Sequence, residues 1–438
     1  MAVLTFKGGI HAHDHKNLSK KKPITEYKPQ GELVFPLSQH IGGPAQPIVA
    51  IGDKVLAGQK IAEASGFVSA CIHSSVSGNV IAIEPRLVAS GEMVNSIIIE
   101  SDGKFNEVQY EQGKKLEEYS KEEIRELVKE AGIVGMGGAG FPTHVKLSPK
   151  SDEAIDYIIV NGAECEPYLT SDYRRMLETP ELVIEGLKVV LALFKKAKGY
   201  ICIEDNKRDI IIKMKKLVQG EPRIEVKTMY TKYPQGSERH LIYAATKRKI
   251  NSSMLPADAG CIVHNIDTIC AIKQAVIDRK PLTKRIITIS GDAISETGNF
   301  EVYLGTNVNE LIEASGGFVK EPEKIISGGP MMGMAIYNTN IPAIKGSSAF
   351  LFFKEDEVSK CETSACINCG RCVNVCPSRI IPSKLSELSE RGDMEGFIKL
   401  DGVECCECGC CSYVCPAKRN LAQSMKTMRK LVLASRKK

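Results

Sequence analysis

Two copies of one cysteine motif lie near the C-terminal end of this 438-residue chain, and they constrain its fold more than any other feature. Each copy reads Cys-x2-Cys-x2-Cys-x3-Cys-Pro, and equivalent cysteines are 39 residues apart. Eight thiolates at this spacing can hold two [4Fe–4S] clusters, because each short turn aims neighbouring sulfurs at one cluster. The cysteines are Cys366, Cys369, Cys372 and Cys376 in the first copy and Cys405, Cys408, Cys411 and Cys415 in the second.

The fourth cysteine of each copy is expected to bind the cluster of the other copy, as in bacterial two-cluster ferredoxins. A proline follows each fourth cysteine and turns the chain away. We also predict a helix from Ser383 that ends at Gly392, between the two copies. Cluster 1 is thus assigned to Cys366, Cys369, Cys372 and Cys415, and cluster 2 to Cys376, Cys405, Cys408 and Cys411.

Zinc sites with four cysteines each are the alternative interpretation. Zinc prefers two Cys-x2-Cys pairs separated by a longer gap, whereas here three evenly spaced cysteines precede a Cys-Pro pair. No signal peptide opens the chain, so we expect a reducing compartment rather than disulfides. Cys361, Cys406 and Cys410 fall outside the repeat and are expected not to be ligands.

Length and composition indicate several globular domains. The hydrophobic content of 43% and the charged content of 25% suit domains with real cores. A net charge of +5 is mild and does not indicate a nucleic-acid partner. No run of 18 apolar residues is present, so we expect no transmembrane segment and no ion movement through this chain alone.

The N-terminal quarter divides into an arm and a β module. Residues 1–30 are polar and predict an extended arm, in which alternating His11, His13 and His15 face solvent or, as an alternative, bind a metal. Residues 31–110 carry short β runs separated by Gly and Asp turns. They resemble the barrel-sandwich module of biotinyl and lipoyl carriers. The hairpin tip lacks the carrier lysine, so we expect a structural module.

The rest of the chain predicts three further domains. Residues 115–282 alternate helices with apolar β-branched runs, which indicates a Rossmann-like α/β domain with a parallel sheet. Residues 283–345 return to short strands around one helix, Val308–Ala314, as in a small β-grasp domain of the SLBB type. Residues 346–438 form a helical, ferredoxin-like cluster domain. The predicted fold class is therefore multidomain α/β.

Two loops of the α/β domain carry candidate ligands. The first, Gly135–Pro142, holds four glycines, whose backbone N–H groups can approach a phosphate or a flat ring, and Lys146 follows it. A plain tight turn explains such a loop equally well. The second, Asn161–Pro167, follows a predicted strand, where ligands bind in open α/β sheets. Solvated loop acids are the alternative there.

Together the two loops resemble the flavin- and NADH-binding subunit of respiratory complex I, whose loops read GxGGAGFP and NADExEP. This chain has Ala163 where that family has aspartate, and Ser237 where it has a glutamate. The resemblance implies binding of FMN and NAD(H), with no side chain acting as nucleophile or general base. The implied cofactor-binding residues are Gly135, Gly137, Gly138, Ala139, Gly140, Phe141, Lys146, Asn161, Glu164, Glu166, Gly236, Glu238 and Asn265.

The opening Phe6–His11 segment and the order of all modules resemble a narrower family, the RnfC proteins of the Rnf electron-transport complex. This resemblance implies a peripheral subunit on the cytoplasmic face of the bacterial cell membrane. It would exchange hydride with NAD(H) and single electrons with other peripheral and membrane-embedded Rnf subunits, and indirectly with ferredoxin. Alternatives are a microcompartment cobalamin reductase, a subunit of a soluble hydrogenase or formate dehydrogenase, and a scaffold that binds clusters only.

Overall fold

The first folded unit is a β module of two small sheets. The computed structural model describes residues 3–435, so the first two residues of the predicted arm and the last three of the cluster domain lie outside it. One sheet has the order β2-β8-β7-β4 and the other β3-β5-β6. Leu33, Phe35 and Ile97 point inward and are fully buried. The strands up to this point are β1 Ile24–Tyr27, β2 Glu32–Pro36, β3 Gln46–Pro47, β4 Lys54–Val55, β5 Lys60–Glu63, β6 Ile72–His73, β7 Gly78–Leu87 and β8 Met93–Ser101.

The α/β domain contains a four-stranded parallel sheet, as the β-branched runs predict. The sheet order is β11-β10-β9-β12. Strands β10 and β11 are added in turn on one side of β9, and β12 then pairs with the other side of β9. The predicted capping box at Ser120 and Glu123 is present and starts the first helix. The strands are β9 Tyr157–Gly162, β10 Lys198–Glu204, β11 Ile224–Met229 and β12 Cys261–Asn265; the helices are α1 Lys121–Glu130, α2 Thr143–Lys146, α3 Ser171–Glu178, α4 Pro180–Leu193, α5 Arg208–Leu217, α6 Glu238–Thr246 and α7 Ile266–Val276.

The third unit is a six-stranded sheet with one helix at the predicted bounds, α8 Val308–Ala314. Its order is β1-β14-β13-β17-β15-β16, and β1 comes from the N-terminal segment and pairs in parallel with β14. The N-terminal segment, which the sequence predicted to be an extended arm, thus contributes one strand to this sheet. The remaining strands are β13 Lys284–Gly291, β14 Gly298–Tyr303, β15 Lys324–Ser327, β16 Met334–Ile336 and β17 Ala349–Phe353.

The last unit is helical and packs around its own core of Leu385, Phe397, Leu421 and Met425 together with several cysteines. The predicted helix between the two cysteine motifs is present, and Gly392 follows it with a left-handed φ of +71°. Within residues 3–435, no helix is both long enough and apolar enough to cross a bilayer. The helices are α9 Arg371–Val375, α10 Pro382–Glu390, α11 Met394–Lys399, α12 Cys410–Tyr413 and α13 Leu421–Ser435.

Candidate functional site

The candidate site lies at the switch point of the parallel sheet, between the carboxyl ends of β9 and β12. Asn161 and Asn265 are register partners on these two strands. The Asn161 side-chain amide donates to the Gly236 carbonyl at 2.8 Å, and the Asn265 side chain caps α7 by accepting from Asp267 N–H. Ligands of open α/β sheets bind at such a point, because the chain leaves neighbouring strands in opposite directions there.

The glycine loop packs against this switch point and keeps its tip open. Gly135 N–H donates to the Phe141 carbonyl at 2.8 Å, which closes the loop. A Cβ on Gly137 would lie 2.8 Å from the Asn265 Cβ, whereas a Cβ on Gly138 would meet no atom within 4 Å. Gly137, Gly138 and Ala139 are exposed, while Gly140 is buried with a φ of +65°. The backbone at the tip can therefore be approached from solvent.

Lys146 follows the glycine loop and joins it to the start of α6. Its Nζ lies 2.9 Å from Glu238 Oε1 and donates to the Val263 carbonyl at 3.2 Å. Two predicted ligands, Lys146 and Glu238, thus form an ion pair at the edge of the site. Both side chains stay partly exposed.

Glu164 of the carboxylate loop is buried next to α3. Its Oε1 accepts from Asp172 N–H at 2.9 Å, and its Oε2 lies 3.8 Å from Lys16 Nζ. Lys16 comes from the N-terminal segment and also donates to the Glu166 carbonyl at 2.9 Å. A residue from the predicted arm therefore neutralises a predicted ligand.

Glu166 is half-buried, with its Oε1 atom inaccessible to solvent, and it points toward the unit that contains the six-stranded sheet. Its Oε2 accepts from Met331 N–H at 3.0 Å, and burial raises its pKa to about 7. A Cβ on Gly329 would lie 2.4 Å from the Glu166 carboxylate, so the loop before β16 fits tightly against this side chain. Glu166 thus bridges two domains at the margin of the site.

A buried cluster of charges supports the site and was not found from the sequence. Asp172 Oδ2 accepts from the Asn265 side chain at 2.7 Å, and burial, with Glu164 and Asp267 nearby, raises the Asp172 pKa to about 8. Arg285 on β13 donates to the Met136 carbonyl of the glycine loop at 2.8 Å. The available signal was the charged pair Lys284 and Arg285 at the start of β13, before a run rich in isoleucine.

Several buried polar atoms around the carboxylate loop have no hydrogen-bond partner among the described residues. They include Glu164 Oε2, Glu166 Oε1, the Tyr233 hydroxyl and both side-chain amide atoms of Gln235. Buried polar atoms normally find a partner, from protein, water or ligand. Together with the open glycine backbone and the adjacent lysine, these atoms fit a polar ring system that carries a phosphate.

The four cysteines predicted for cluster 1 line one cavity in the cluster domain. Cys366 and Cys369 are exposed, Cys415 is half-buried and Cys372 is buried. The cavity walls also include Gly370 and Pro416, and all of its lining residues lie between positions 366 and 421. The donor set fits a four-iron cluster, because each of four thiolates can bind a different iron around one space.

Three of the four cysteines predicted for cluster 2 lie together. Cys376, Cys405 and Cys411 share the buried core of the cluster domain with Cys372 of the predicted cluster 1, and burial raises the pKa of Cys405 and of Cys411 to about 12. The fourth, Cys408, is buried beside Cys406 and Cys410, the two cysteines outside the repeat. Free thiols with such pKa values stay protonated at neutral pH, so a metal is needed to hold them as thiolates.

Two alternatives raised by the sequence, zinc bound by four cysteines and a metal bound by the three N-terminal histidines, would each need a site for a single metal ion. Among residues 3–435, no three side chains of His, Cys, Asp or Glu are arranged as ligands of one metal ion. His11 and His13 are exposed, as predicted, but His15 is half-buried and stacks on Tyr168 with ring centroids 4.6 Å apart. The histidine segment therefore packs against the α/β domain through one ring.

Four protein-family models match separate parts of the chain between residues 4 and 418. The RnfC barrel-sandwich hybrid domain matches residues 4–104, and the Nuo51 FMN-binding domain matches residues 128–274. The SLBB domain matches residues 286–335, and a 4Fe–4S dicluster domain matches residues 365–418. The first match includes the N-terminal segment, although in the structure its strand β1 pairs with β14, and Gly9 and Ile10 bond to the cluster domain and the α/β domain.

Curated relatives cover nearly the full length. The C subunit of the Na(+)-translocating ferredoxin:NAD(+) oxidoreductase complex of Acetobacterium woodii is 44% identical, over 99% of this chain and 98% of the relative. The chain belongs to the RnfC family. The proton-translocating counterpart from Clostridium ljungdahlii is 45% identical over 88% of this chain and 85% of the relative. As an RnfC protein, the chain is a subunit of an electron-transporting oxidoreductase.

Solved structures share the fold at low identity. An NAD+-reducing [NiFe]-hydrogenase in the air-oxidized state aligns with a TM-score of 0.51 and 15% identity, over 76% of this chain and 67% of that chain. The same kind of enzyme in the H2-reduced state aligns with a TM-score of 0.50 and 16% identity, over 74% and 63% of the two chains. These alignments support a multidomain α/β architecture for this RnfC protein.

Proposed function

We propose that this subunit exchanges hydride between NAD(H) and a bound FMN and single electrons through two [4Fe–4S] clusters. One observation carries the proposal: the glycine loop, the carboxylate loop and the starts of α6 and α7 converge at the switch point of the sheet. Binding at that point places a ligand against backbone donors, an ion pair and buried carboxylates. When bound, FMN supplies the change from a two-electron to a one-electron donor or acceptor.

The residues of the loops have separate roles in this proposal. The backbone of Gly137, Gly138 and Ala139 approaches the cofactor, and Gly135, Gly140 and Phe141 hold the loop in shape. Lys146 neutralises the phosphate, with Glu238 keeping the ammonium in place. Asn161, Asn265 and the Gly236 backbone form the floor, and Glu164 and Glu166 line the nicotinamide side. No proton transfer from a side chain is required for hydride exchange.

In this proposal, the cluster domain conducts electrons between the flavin site and the next carrier. Cys366, Cys369, Cys372 and Cys415 would hold cluster 1, and Cys376, Cys405, Cys408 and Cys411 would hold cluster 2. Binding to iron replaces the thiol proton, which overcomes the unfavourable burial of a free thiolate. The protein then sets the cluster potentials through burial and hydrogen bonds to the sulfurs.

The similarity to two complex subunits supports the setting that we propose for this chemistry, and these relatives are described by their names. They are subunits of ferredoxin:NAD(+) oxidoreductase complexes that translocate sodium ions or protons. We infer that this chain is likewise a peripheral subunit at the cytoplasmic face of a bacterial membrane. Its electron partners would be other subunits of the same complex, with ferredoxin reached through them.

The flavin part of the proposal is tested with anaerobically purified full-length protein. We expect about one FMN per chain on denaturation, and bleaching of the bound flavin by NADH. Cys369→Ser should remove one cluster and stop electron transfer beyond the flavin, while NADH still bleaches the flavin. Protein that carries no flavin after incubation with FMN would support the cluster-only scaffold instead.

A further inference from the structure

The N-terminal segment Phe6–Ile10 lies between the α/β domain and the cluster domain. On the cluster side, Gly9 N–H donates to the Val375 carbonyl at 2.8 Å. Gly8 has a φ of +86°, and a Cβ there would lie 2.8 Å from the carbonyl oxygen of Cys376. Only glycine at this position lets the segment reach the backbone of a predicted cluster 2 ligand.

The same segment is fixed to the loop that borders the candidate flavin site. Ile10 and Tyr233 exchange two backbone hydrogen bonds, at 2.8 and 2.9 Å. Lys232 donates to the carbonyls of Phe6 and Gly8, and its ammonium lies 3.8 Å from the centre of the Phe6 ring. Tyr233 in turn has its unpartnered hydroxyl among the buried polar atoms of the site. One short segment thus contacts both proposed cofactor regions.

Other contacts between the two domains also fall on cluster 2. Glu404, which precedes Cys405, lies 2.9 Å from Arg239 Nη1 and accepts from Ser252 N–H at 2.9 Å. The Cys410 thiol, within the second motif, lies 3.8 Å from the Tyr233 carbonyl. The side of the cluster domain that carries the cluster 2 ligands is therefore the side attached to the α/β domain.

The predicted ligands of cluster 1 lie in a different environment from those of cluster 2. The cavity of cluster 1 is lined only by residues of the cluster domain, and Cys366 and Cys369 are exposed together with Ile367 between them, whose exposed fraction is 66%. All four predicted ligands of cluster 2, in contrast, are buried. The two ligand sets thus differ in their distance from the flavin domain and in their access to solvent.

We infer that Phe6–Ile10 is the junction through which the two domains exchange electrons, with cluster 2 next to the flavin and cluster 1 at the solvent side. This rests on the proposed function. Cys376, Cys405, Cys408 and Cys411 would hold the cluster that exchanges single electrons with the flavin, and Cys366, Cys369, Cys372 and Cys415 would hold the one that exchanges them with the next carrier. Two electrons transferred one at a time account for one hydride. Transfer in the reverse order would reduce NAD.

Serine variants at equivalent, equally buried positions of the two motifs test the order. In Cys372→Ser, which removes cluster 1, NADH should still reduce the remaining cluster at the wild-type rate, as measured by EPR. In Cys411→Ser, which removes cluster 2, NADH should bleach the flavin normally, but reduction of the remaining cluster should be lost. The reverse pattern, with normal reduction only in Cys411→Ser, would overturn the order.

A second measurement uses the unmodified protein and does not depend on activity. A hydrophilic iron chelator should remove cluster 1 first, leaving the EPR spectrum of the Cys372→Ser variant. Loss of cluster 2 first, or of both clusters together, would contradict the inferred exposure. If the protein binds no flavin at all, the proposed function fails, whereas a bound and bleachable flavin with the wrong cluster order refutes only this inference.

The junction itself is tested by Gly8→Ala, with Gly220→Ala as the control. Both glycines have a left-handed φ, +86° and +94°, but a Cβ on Gly220 meets no atom within 4 Å. Gly8→Ala should slow reduction of the clusters several-fold, with flavin bleaching by NADH unchanged. Equal rates of cluster reduction in the two variants would exclude a role for this segment in electron exchange.

Discussion

At the residue scale, the half-buried Glu166 places its carboxyl group between the carboxylate loop and the unit that contains the six-stranded sheet. Its folded-state pKa of about 7 lies above the ordinary glutamate value of 4.5, because burial disfavours the charged form. The folded protein therefore binds more protons here than the unfolded chain between these values. By linkage, this residue lowers stability as the pH rises from about 4.5 to 7.

Replacing Glu166 by glutamine should remove this pH dependence. Between pH 5.5 and pH 8, the free energy of unfolding of Glu166→Gln should rise by about 2 kcal/mol relative to wild type, since each pKa unit corresponds to about 1.4 kcal/mol. Anaerobic thermal unfolding at the two pH values measures the difference. Glu153→Gln, at an exposed position, is the control, and equal behaviour of both variants would contradict a half-buried, weakly acidic Glu166.

Lys146 is the residue on which phosphate binding depends in this proposal. Lys146→Ala should weaken FMN binding by roughly ten- to a hundredfold, since a hydrogen bond to a charged group contributes about 1.5–3 kcal/mol. It also leaves Glu238 unpaired, which repels an anion further. Equilibrium titration with FMN measures the effect, with the exposed Lys150→Ala as the control. Unchanged affinity would remove Lys146 from the site.

At the scale of elements, strand β13 supports the glycine loop across a domain boundary. Arg285 is fully buried, donates to the carbonyls of Met136 and Lys345, and lies 4.0 Å from the Asp267 carboxylate. It thereby links the sheet of the β-grasp domain to the glycine loop and to the start of α7. The position of the loop tip therefore depends on a strand that is distant in the sequence.

Arg285→Met should destabilise the protein by about 1–3 kcal/mol, because it leaves the buried carbonyls of Met136 and Lys345 without their donor, while Asp267 keeps its ion pair with Arg175. The neighbouring Lys284→Met provides the matched control, since Lys284 pairs with Glu26 at the surface and such a pair contributes at most about 1 kcal/mol. Thermal unfolding of both variants, with their FMN content, measures the difference. Similar losses in the two variants would show that the buried arginine is dispensable.

At the scale of the whole molecule, the features that could be predicted from the sequence are those that short motifs determine locally. The capping box at Ser120, the parallel strands and the helix Val308–Ala314 follow from periodicity and turn chemistry within a few residues. The glycine loop, the carboxylate loop and the cysteine runs were located for the same reason. Their meeting at one switch point followed only from the order of the strands.

Contacts between residues far apart in the chain could not be predicted in this way. The N-terminal segment is polar and lacks a strong period, yet it adds β1 to the third sheet, buries Lys16 beside Glu164 and places Gly8 against Cys376. No local pattern determines such pairings, because their stability comes from the surfaces that the later domains provide.

The central claim is that eight cysteines of one chain hold iron and sulfide beside a flavin. Metal and acid-labile sulfide analysis of the anaerobically purified full-length protein tests it most directly. We predict about eight iron and eight sulfide per chain, as two four-iron clusters require, with both lost in part from Cys369→Ser. Zinc in place of iron, without sulfide, would contradict the account.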